Sequence, residues 1–277
     1  MSRAEKKGGF WSDLPTLLGA IAVALAIRTF LVQPFYVPSD SMLPTLLVGD
    51  HVFVNKFLFG AGLTGTDVRF PGVREPKRGE VIVFQFARAP NGSGIFPADQ
   101  RPDLPRDAFV KRLIGLPGDR VAIVDGQLVI NGERVPREPT GRVFRDATGR
   151  AFEVWVEQLD GCRHFVLDDP DWPSDDMAEI TVKPDRYFFM GDNRDNSYDG
   201  RRVGTVRGEE LAGPARLLYW SWDWNGTWLS LLNPVTWWDN LTGKMRWGRM
   251  GSFEACIPPG ESAETAAAEV GMQLQPR

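Results

Sequence analysis

Between residues 120 and 136 the chain reads Val121-Ala122-Ile123-Val124, then Asp125-Gly126, then Gln127-Leu128-Val129-Ile130, then Asn131-Gly132 and Glu133-Arg134-Val135. Asp-Gly and Asn-Gly pairs set between short apolar runs favour the tight two-residue turns whose backbone matches the twist of paired strands. The stretch predicts a hairpin or short meander, and its pattern recurs elsewhere. Runs at 51–58, 80–87, 108–114 and 185–191 are likewise short, alternating or apolar, and bounded by Gly, Pro, Asn or Asp. The fold class is therefore mostly β. Residues 88–106, rich in Pro, Gly and charge, read as a surface loop, and 137–184 mixes weak strands with an acidic loop at 168–176.

With 43% hydrophobic residues, 277 residues suffice for one large domain or two small ones. A net charge of −4 argues against a nucleic-acid partner, which needs a basic face for phosphates. Two histidines and two cysteines, far apart, provide no close ligand pair, so neither a metal nor another cofactor is expected. Cys162 and Cys256 could pair in an oxidising compartment, but their separation in space is not readable here. The tail at 257–277 is rich in Pro, Glu and Ala with few large apolar residues, and disorder is expected for it.

The N-terminus carries Arg3, Lys6 and Lys7 and then turns apolar from Leu14 to Ile27 without a charge. At about 1.5 Å per residue that run reaches only about 21 Å, whereas residues 14–32 reach about 28 Å, close to the roughly 30 Å hydrocarbon core. Arg28 lies near one end, where it can snorkel to the headgroups. Residues 14–32 thus read as one membrane-spanning helix, started by Ser12 or Asp13 and ended by Pro34, with residues 1–13 cytoplasmic by the positive-inside rule. A cleavable signal peptide is the rival reading. It is disfavoured because Thr29-Phe30-Leu31-Val32-Gln33-Pro34 is bulky where a cleavage site needs small residues.

Two further runs point to chemistry. Ser41 lies within Val37-Pro38-Ser39-Asp40-Ser41-Met42-Leu43-Pro44, and Lys111 within Phe109-Val110-Lys111-Arg112-Leu113-Ile114-Gly115. A serine nucleophile needs a group that removes its proton during attack and returns it to the leaving amine. A neutral lysine can do both, provided that burial lowers its pKa by the several units that a buried amine can lose. Strand alternation puts Arg112 on the face opposite Lys111. A triad would instead have to recruit His51 or His164. Each has an ordinary structural reading, and spacing alone excludes neither. A third run, Gly191-Asp192-Asn193-Arg194-Asp195-Asn196-Ser197, packs polar residues directly behind the apolar Tyr187-Phe188-Phe189-Met190.

These three runs, with Lys77-Arg78-Gly79-Glu80-Val81-Ile82-Val83-Phe84 and the N-terminal apolar segment, strongly resemble the type I signal peptidases. The resemblance covers about residues 28–120 and 183–215, with a weaker echo at 245–251. It implies a membrane-bound serine endopeptidase that removes signal peptides from exported preproteins. Ser41 would be the nucleophile and Lys111 the general base, with Ser197 orienting the lysine. The Ser41 N–H and the Ser39 hydroxyl would form the oxyanion hole. Asp199 and Arg201 fall on positions thought to brace the site, although an ordinary ion pair is an equally good reading. Pockets for small side chains would be lined by Phe35, Val37, Pro38, Met42, Val83 and Val110, which could equally be core. The resemblance also implies an antiparallel catalytic β domain at 33–120 and 185–256, a β-rich insertion at 121–184, and a single-pass protein of the bacterial inner membrane with its catalytic domain periplasmic. Its partners would be preproteins, the lipid bilayer and the export translocon. Asp40 departs from the glycine of many relatives, and its carboxylate is expected to point to water.

Two other classes stay in view: a self-cleaving repressor-type Ser/Lys protease, disfavoured by the anchor and the acidic charge, and a membrane-tethered peptide- or sugar-binding protein. The second would use the tryptophan-rich stretch 220–247, whose Trp224, Trp228, Trp237 and Trp238 suit either a membrane interface or a cap on the β core.

Overall fold

The computed structural model describes residues 13–21, 23, 32–60, 71–90, 92, 94–173, 176–223, 244–269, 272 and 274–276. In chain order the strands are β1 (Val32–Tyr36), β2 (Asp50–Asn55), β3 (Val81–Arg88), β4 (Ile95–Pro97), β5 (Arg106–Gly115), β6 (Arg120–Val124), β7 (Gln127–Ile130), β8 (Glu133–Arg134) and β9 (Arg137–Arg145). They continue as β10 (Ala151–Leu159), β11 (Cys162–Asp168), β12 (Met177–Thr181), β13 (Arg186–Met190), β14 (Val206–Arg207), β15 (Leu211–Ser221), β16 (Gly251–Ser252) and β17 (Leu274–Pro276).

A nine-stranded sheet runs β1-β2-β15-β3-β5-β13-β14, with β4 on β3 and β16 on β15, and two four-stranded sheets run β11-β10-β9-β17 and β12-β6-β7-β8. The pairings are antiparallel. The two turns singled out in sequence form as expected. Val124 pairs Gln127 across Asp125-Gly126, and Ile130 pairs Glu133 across Asn131-Gly132. All four turn residues have positive φ, which glycine adopts freely and Asp or Asn tolerates better than other side chains.

The core divides according to the sheets. Ile82, Phe84, Phe86, Leu113 and Phe189 pack on one side of strands β3, β5 and β13, while Ile114, Val121, Leu128, Leu159 and Phe188 pack beneath the sheet that contains β6. Neighbours Leu113 and Ile114, like Phe188 and Phe189, feed different clusters because successive strand residues face opposite ways.

Three expectations meet the structure at the chain ends. Among the described residues no helix is long and apolar enough to cross a membrane. Residues 13–21 are helical and expose Leu17, Leu18 and Ile21, whereas Val32 already belongs to β1 and pairs with Asn55. A helix extending to residue 32 is therefore corrected at its end, since the edge strand takes Val32 and accommodates Pro34, which has no N–H to give to a ladder. Residues 24–31 lie outside the described residues, as do 224–243 with Trp224, Trp228, Trp237 and Trp238. Trp220 lies in β15, and Trp222 bridges to Met245.

The tail differs most from its expectation. Residues Ala263–Glu269 are helical, β17 pairs with β9, and Ile257, Ala266, Ala267 and Met272 are buried. A segment with few apolar residues can order here because Phe144, Phe152 and Phe165 supply the large partner surface. Cys256 is disulfide-bonded to Cys162 with a Cα–Cα distance of 5.1 Å, which ties the start of the tail to β11.

Candidate active site

Lys111 reaches the site because β5 changes character along its length. Its first five residues are exposed or half-buried, and the five from Lys111 to Gly115 are buried. Strand alternation sends Arg112 the other way, as expected. Lys111 Nζ donates to Ser41 Oγ at 2.5 Å, joining residues 70 positions apart, and Ser39 Oγ lies 3.3 Å from Ser41 Oγ. Lys111 is 4% exposed and Ser41 6%. Burial pulls the lysine from 10.5 down to about 8, with the negative charge of Asp199 and then Asp192 opposing the fall and Arg201 adding to it. The amine is thus close to half-neutral just above physiological pH.

The loop that carries Ser41 is held from the third polar run. Asn193 N donates to Ser41 O at 3.2 Å, and Asn193 Nδ2 donates to Asp40 O at 3.2 Å. Asp40 does not simply face water: it is half-buried and its Oδ2 accepts from Asn196 Nδ2 at 2.7 Å. Gly191 threads between the two sides. A Cβ there would stand 2.3 Å from Ser197 Oγ and 2.4 Å from Ser41 O, so the close approach requires glycine.

Ser197 Oγ is buried at this junction next to the Asp199 carboxylate, and the bond to Lys111 implied by the resemblance is not formed in this conformation. The amine is instead directed at Ser41. Asp199 and Arg201 do form an ion pair, with Arg201 Nη2 donating to Asp199 Oδ2 at 2.8 Å. The same carboxylate accepts from Gly191 N at 2.9 Å and caps the helix Gly200–Val203. Arg201 Nη2 also donates to Arg194 O at 2.5 Å. The pair therefore anchors the start and the middle of the polar run.

Of the residues expected to line pockets, Val37, Met42 and Val83 are buried, with exposures of at most 2%. Val37 and Met42 share a core cluster against which Phe35 and Val110 pack. Pro38 is exposed, and Phe35 and Val110 are half-buried, so these three are the ones accessible to a ligand. Among the described residues, β5 has an open edge beside them. Its pairing with β13 stops at Met190–Arg112, while its pairing with β3 continues to Arg106.

Both histidines lie elsewhere. His51 stacks at a tilt on Tyr36 in the outer part of the sheet. His164 is buried with Nε2 3.3 Å from Glu157 Oε1, its pKa lowered by burial and then by Arg112, with Glu157 opposing. Ser41 Oγ contacts Lys111 and Ser39, not a histidine.

Beneath the site lie charges not singled out from sequence. Arg112, fully buried, donates from Nε and Nη2 to the two oxygens of Asp192 at 2.7 Å each, and Thr45 Oγ1 donates to Asp192 Oδ2 at 2.5 Å. Arg194 makes a two-pronged contact with the buried Glu157. Alternation put Arg112 on the face opposite Lys111 without saying that this face is covered, but a guanidinium buried there needs a carboxylate, and the third run carries Asp192. Glu157 had no such signal, because only the chain's folding brings β10 under this loop.

The family described as "Signal peptidase, peptidase S26" matches residues 11–220. Signal peptidase I of Pseudomonas aeruginosa is 33% identical over 72% of this chain and 69% of its own length, and that of Pseudomonas fluorescens is 35% identical with the same coverage. Signal peptidase I of Rickettsia canadensis is 31% identical over 80% of both chains. A solved signal peptidase I from Enterococcus faecalis is 24% identical and covers 52% of this chain at a TM-score of 0.28, too slight a likeness to bear on the argument. The match over most of the chain, on the same runs that build the buried Ser41–Lys111 contact, places this protein in the signal peptidase family, peptidase S26.

Proposed function

We propose that the protein is a membrane-bound serine endopeptidase that removes signal peptides from exported preproteins, with Ser41 as nucleophile and Lys111 as general base. The observation that carries this reading is the 2.5 Å contact between two buried side chains, one of them a lysine lowered to about 8. In its neutral form Lys111 takes the Ser41 proton as Oγ attacks the scissile carbonyl. The oxyanion then receives the Ser41 N–H and the Ser39 hydroxyl, each such donor being worth about 2.7–4 kcal/mol in comparable hydrolases. The resulting ammonium protonates the leaving amine, and a water activated by the same lysine releases the acyl group. Asp199 and Arg201 hold the polar run in register, and Ser197 would orient the amine when it turns from Ser41, none of the three reacting.

The open edge of β5 supports recognition by strand addition. An extended signal-peptide segment would pair with residues 107–110 and present alternate small side chains towards Phe35, Pro38 and Val110, over a floor of Val37, Met42 and Val83. The apolar segment that starts at residue 14 and ends ahead of β1 would supply the anchor and set the catalytic domain on the periplasmic side of a bacterial inner membrane, beside the bilayer and the export translocon. Replacing Ser41 by Ala or Lys111 by Met should each abolish cleavage of a preprotein whose signal ends in Ala-x-Ala, with the fold retained by circular dichroism. Normal turnover by either purified variant would refute the assignment.

A further inference from the structure

Beyond the family match, the chain from Ala255 onward touches close sequence neighbours of both members of the proposed catalytic pair. Ala255 O accepts from Arg112 Nη1 at 2.7 Å, and Arg112 follows Lys111 directly in sequence. Cys256 is bonded to Cys162, and Ile257 N donates to Arg163 O at 2.6 Å. The tail then turns so that Ala266, Ala267 and Met272 join Leu43 in one buried cluster, with Leu47, Ala263 and Leu274 packed against it. Leu43 lies two residues after Ser41. Finally β17 closes the sheet on β9, with Arg145 Nε donating to Gln275 Oε1 at 3.0 Å.

The nucleophile loop needs such support. Residues 39–49 form turns rather than a strand, so no ladder register fixes Ser41 from its own side of the loop. Its apolar side chains Leu43 and Leu47 are covered by the aromatic face of the β9–β11 sheet together with the tail. We propose that residues 255–276 act as a positioning element, clamping the nucleophile loop from behind through Leu43 and the base-bearing strand through Arg112. This rests on the Ser41–Lys111 reading for its catalytic consequence, but the physical coupling of tail to loop does not. A displacement of about 1 Å at a reacting group can cost on the order of 100-fold in rate, so slackening this cover should act on turnover rather than on substrate binding.

Three variants of the full chain test it: deletion of residues 263–277, which keeps the disulfide, Met272→Ala as the milder change, and Met272→Leu as the conservative one. Amide hydrogen exchange is read at Leu43 and Leu46, whose N–H groups are bonded to Asp40 O and Met42 O, and at β3 as reference. Peptide cleavage is measured alongside. Deletion and Met272→Ala should accelerate exchange at Leu43 and Leu46 roughly 10-fold or more with β3 unchanged, and lower kcat by a similar factor with KM within about 2-fold. Met272→Leu should restore both. Unchanged exchange at Leu43 and Leu46, or equal acceleration across β3, would overturn the clamp. If the deleted chain does not fold, Met272→Ala decides by the same measurements. Cleavage by a Ser41→Ala control as fast as the parent would sink the catalytic reading instead, while the exchange result would still decide the coupling.

Discussion

Replacing Lys111 by Met should make the protein more stable at neutral pH, and by an amount that pH controls. The amine is 4% exposed and its pKa is lowered from 10.5 to about 8, chiefly by burial. Because the folded value lies below the unfolded one, the unfolded chain binds more protons between these values, and the wild type gains stability as pH rises through that window. Below about pH 8 the buried ammonium costs about 3 kcal/mol, from a shift of 2.5 units at about 1.36 kcal/mol each. Near pH 10 the remaining cost is about 1 kcal/mol. Methionine has similar length and no charge, so it removes this cost at every pH while giving up one hydrogen bond to Ser41, worth about 1 kcal/mol. Urea denaturation of both proteins in the same detergent at pH 6.5 and pH 10 gives a double difference in which all other titrating groups cancel. The advantage of Lys111→Met should shrink by about 2–3 kcal/mol between the two pH values. A double difference near zero would show that Lys111 titrates with an ordinary pKa, and would remove the basis for its acting as a base.

Cleavage rates should show the same ionisation. The kcat/KM value should rise through an apparent pKa near 8 and hold above it, and a limb near pH 6.5 that disappeared in His51→Ala or His164→Ala would contradict lysine catalysis. Gly191→Ala places a methyl group 2.3 Å from Ser197 Oγ and 2.4 Å from Ser41 O. It should cost on the order of 100-fold in kcat on the same peptide assay, and parent-like turnover would mean that the loops separate freely. Asp192→Asn leaves the fully buried Arg112 without its carboxylate and should lower unfolding stability by about 3–5 kcal/mol, read from the denaturation midpoint. A loss below about 1 kcal/mol would indicate that water reaches the guanidinium.

Local chemistry decided a large part of this protein before it folded. Asp125-Gly126 and Asn131-Gly132 force turns wherever the chain goes, and alternation along β5 separates Lys111 from Arg112 whatever packs on either side. The type I signal peptidase resemblance rests on such short runs, and it marked Ser41 and Lys111 as partners across 70 residues. What it could not supply was any property summed over distant segments. The lowering of Lys111 depends on burial by elements from several parts of the chain, and Asp40 acquired its partner Asn196 only when the third polar run folded over the loop that carries Ser41. The order of the tail has the same origin. Its composition gives too little apolar surface for it to order alone, yet Phe144, Phe152 and Phe165 provide the missing area and Cys162 holds its start. Turn and strand preferences act within a few residues, whereas burial, pKa and the order of a weak segment depend on surfaces that come together only in the folded chain.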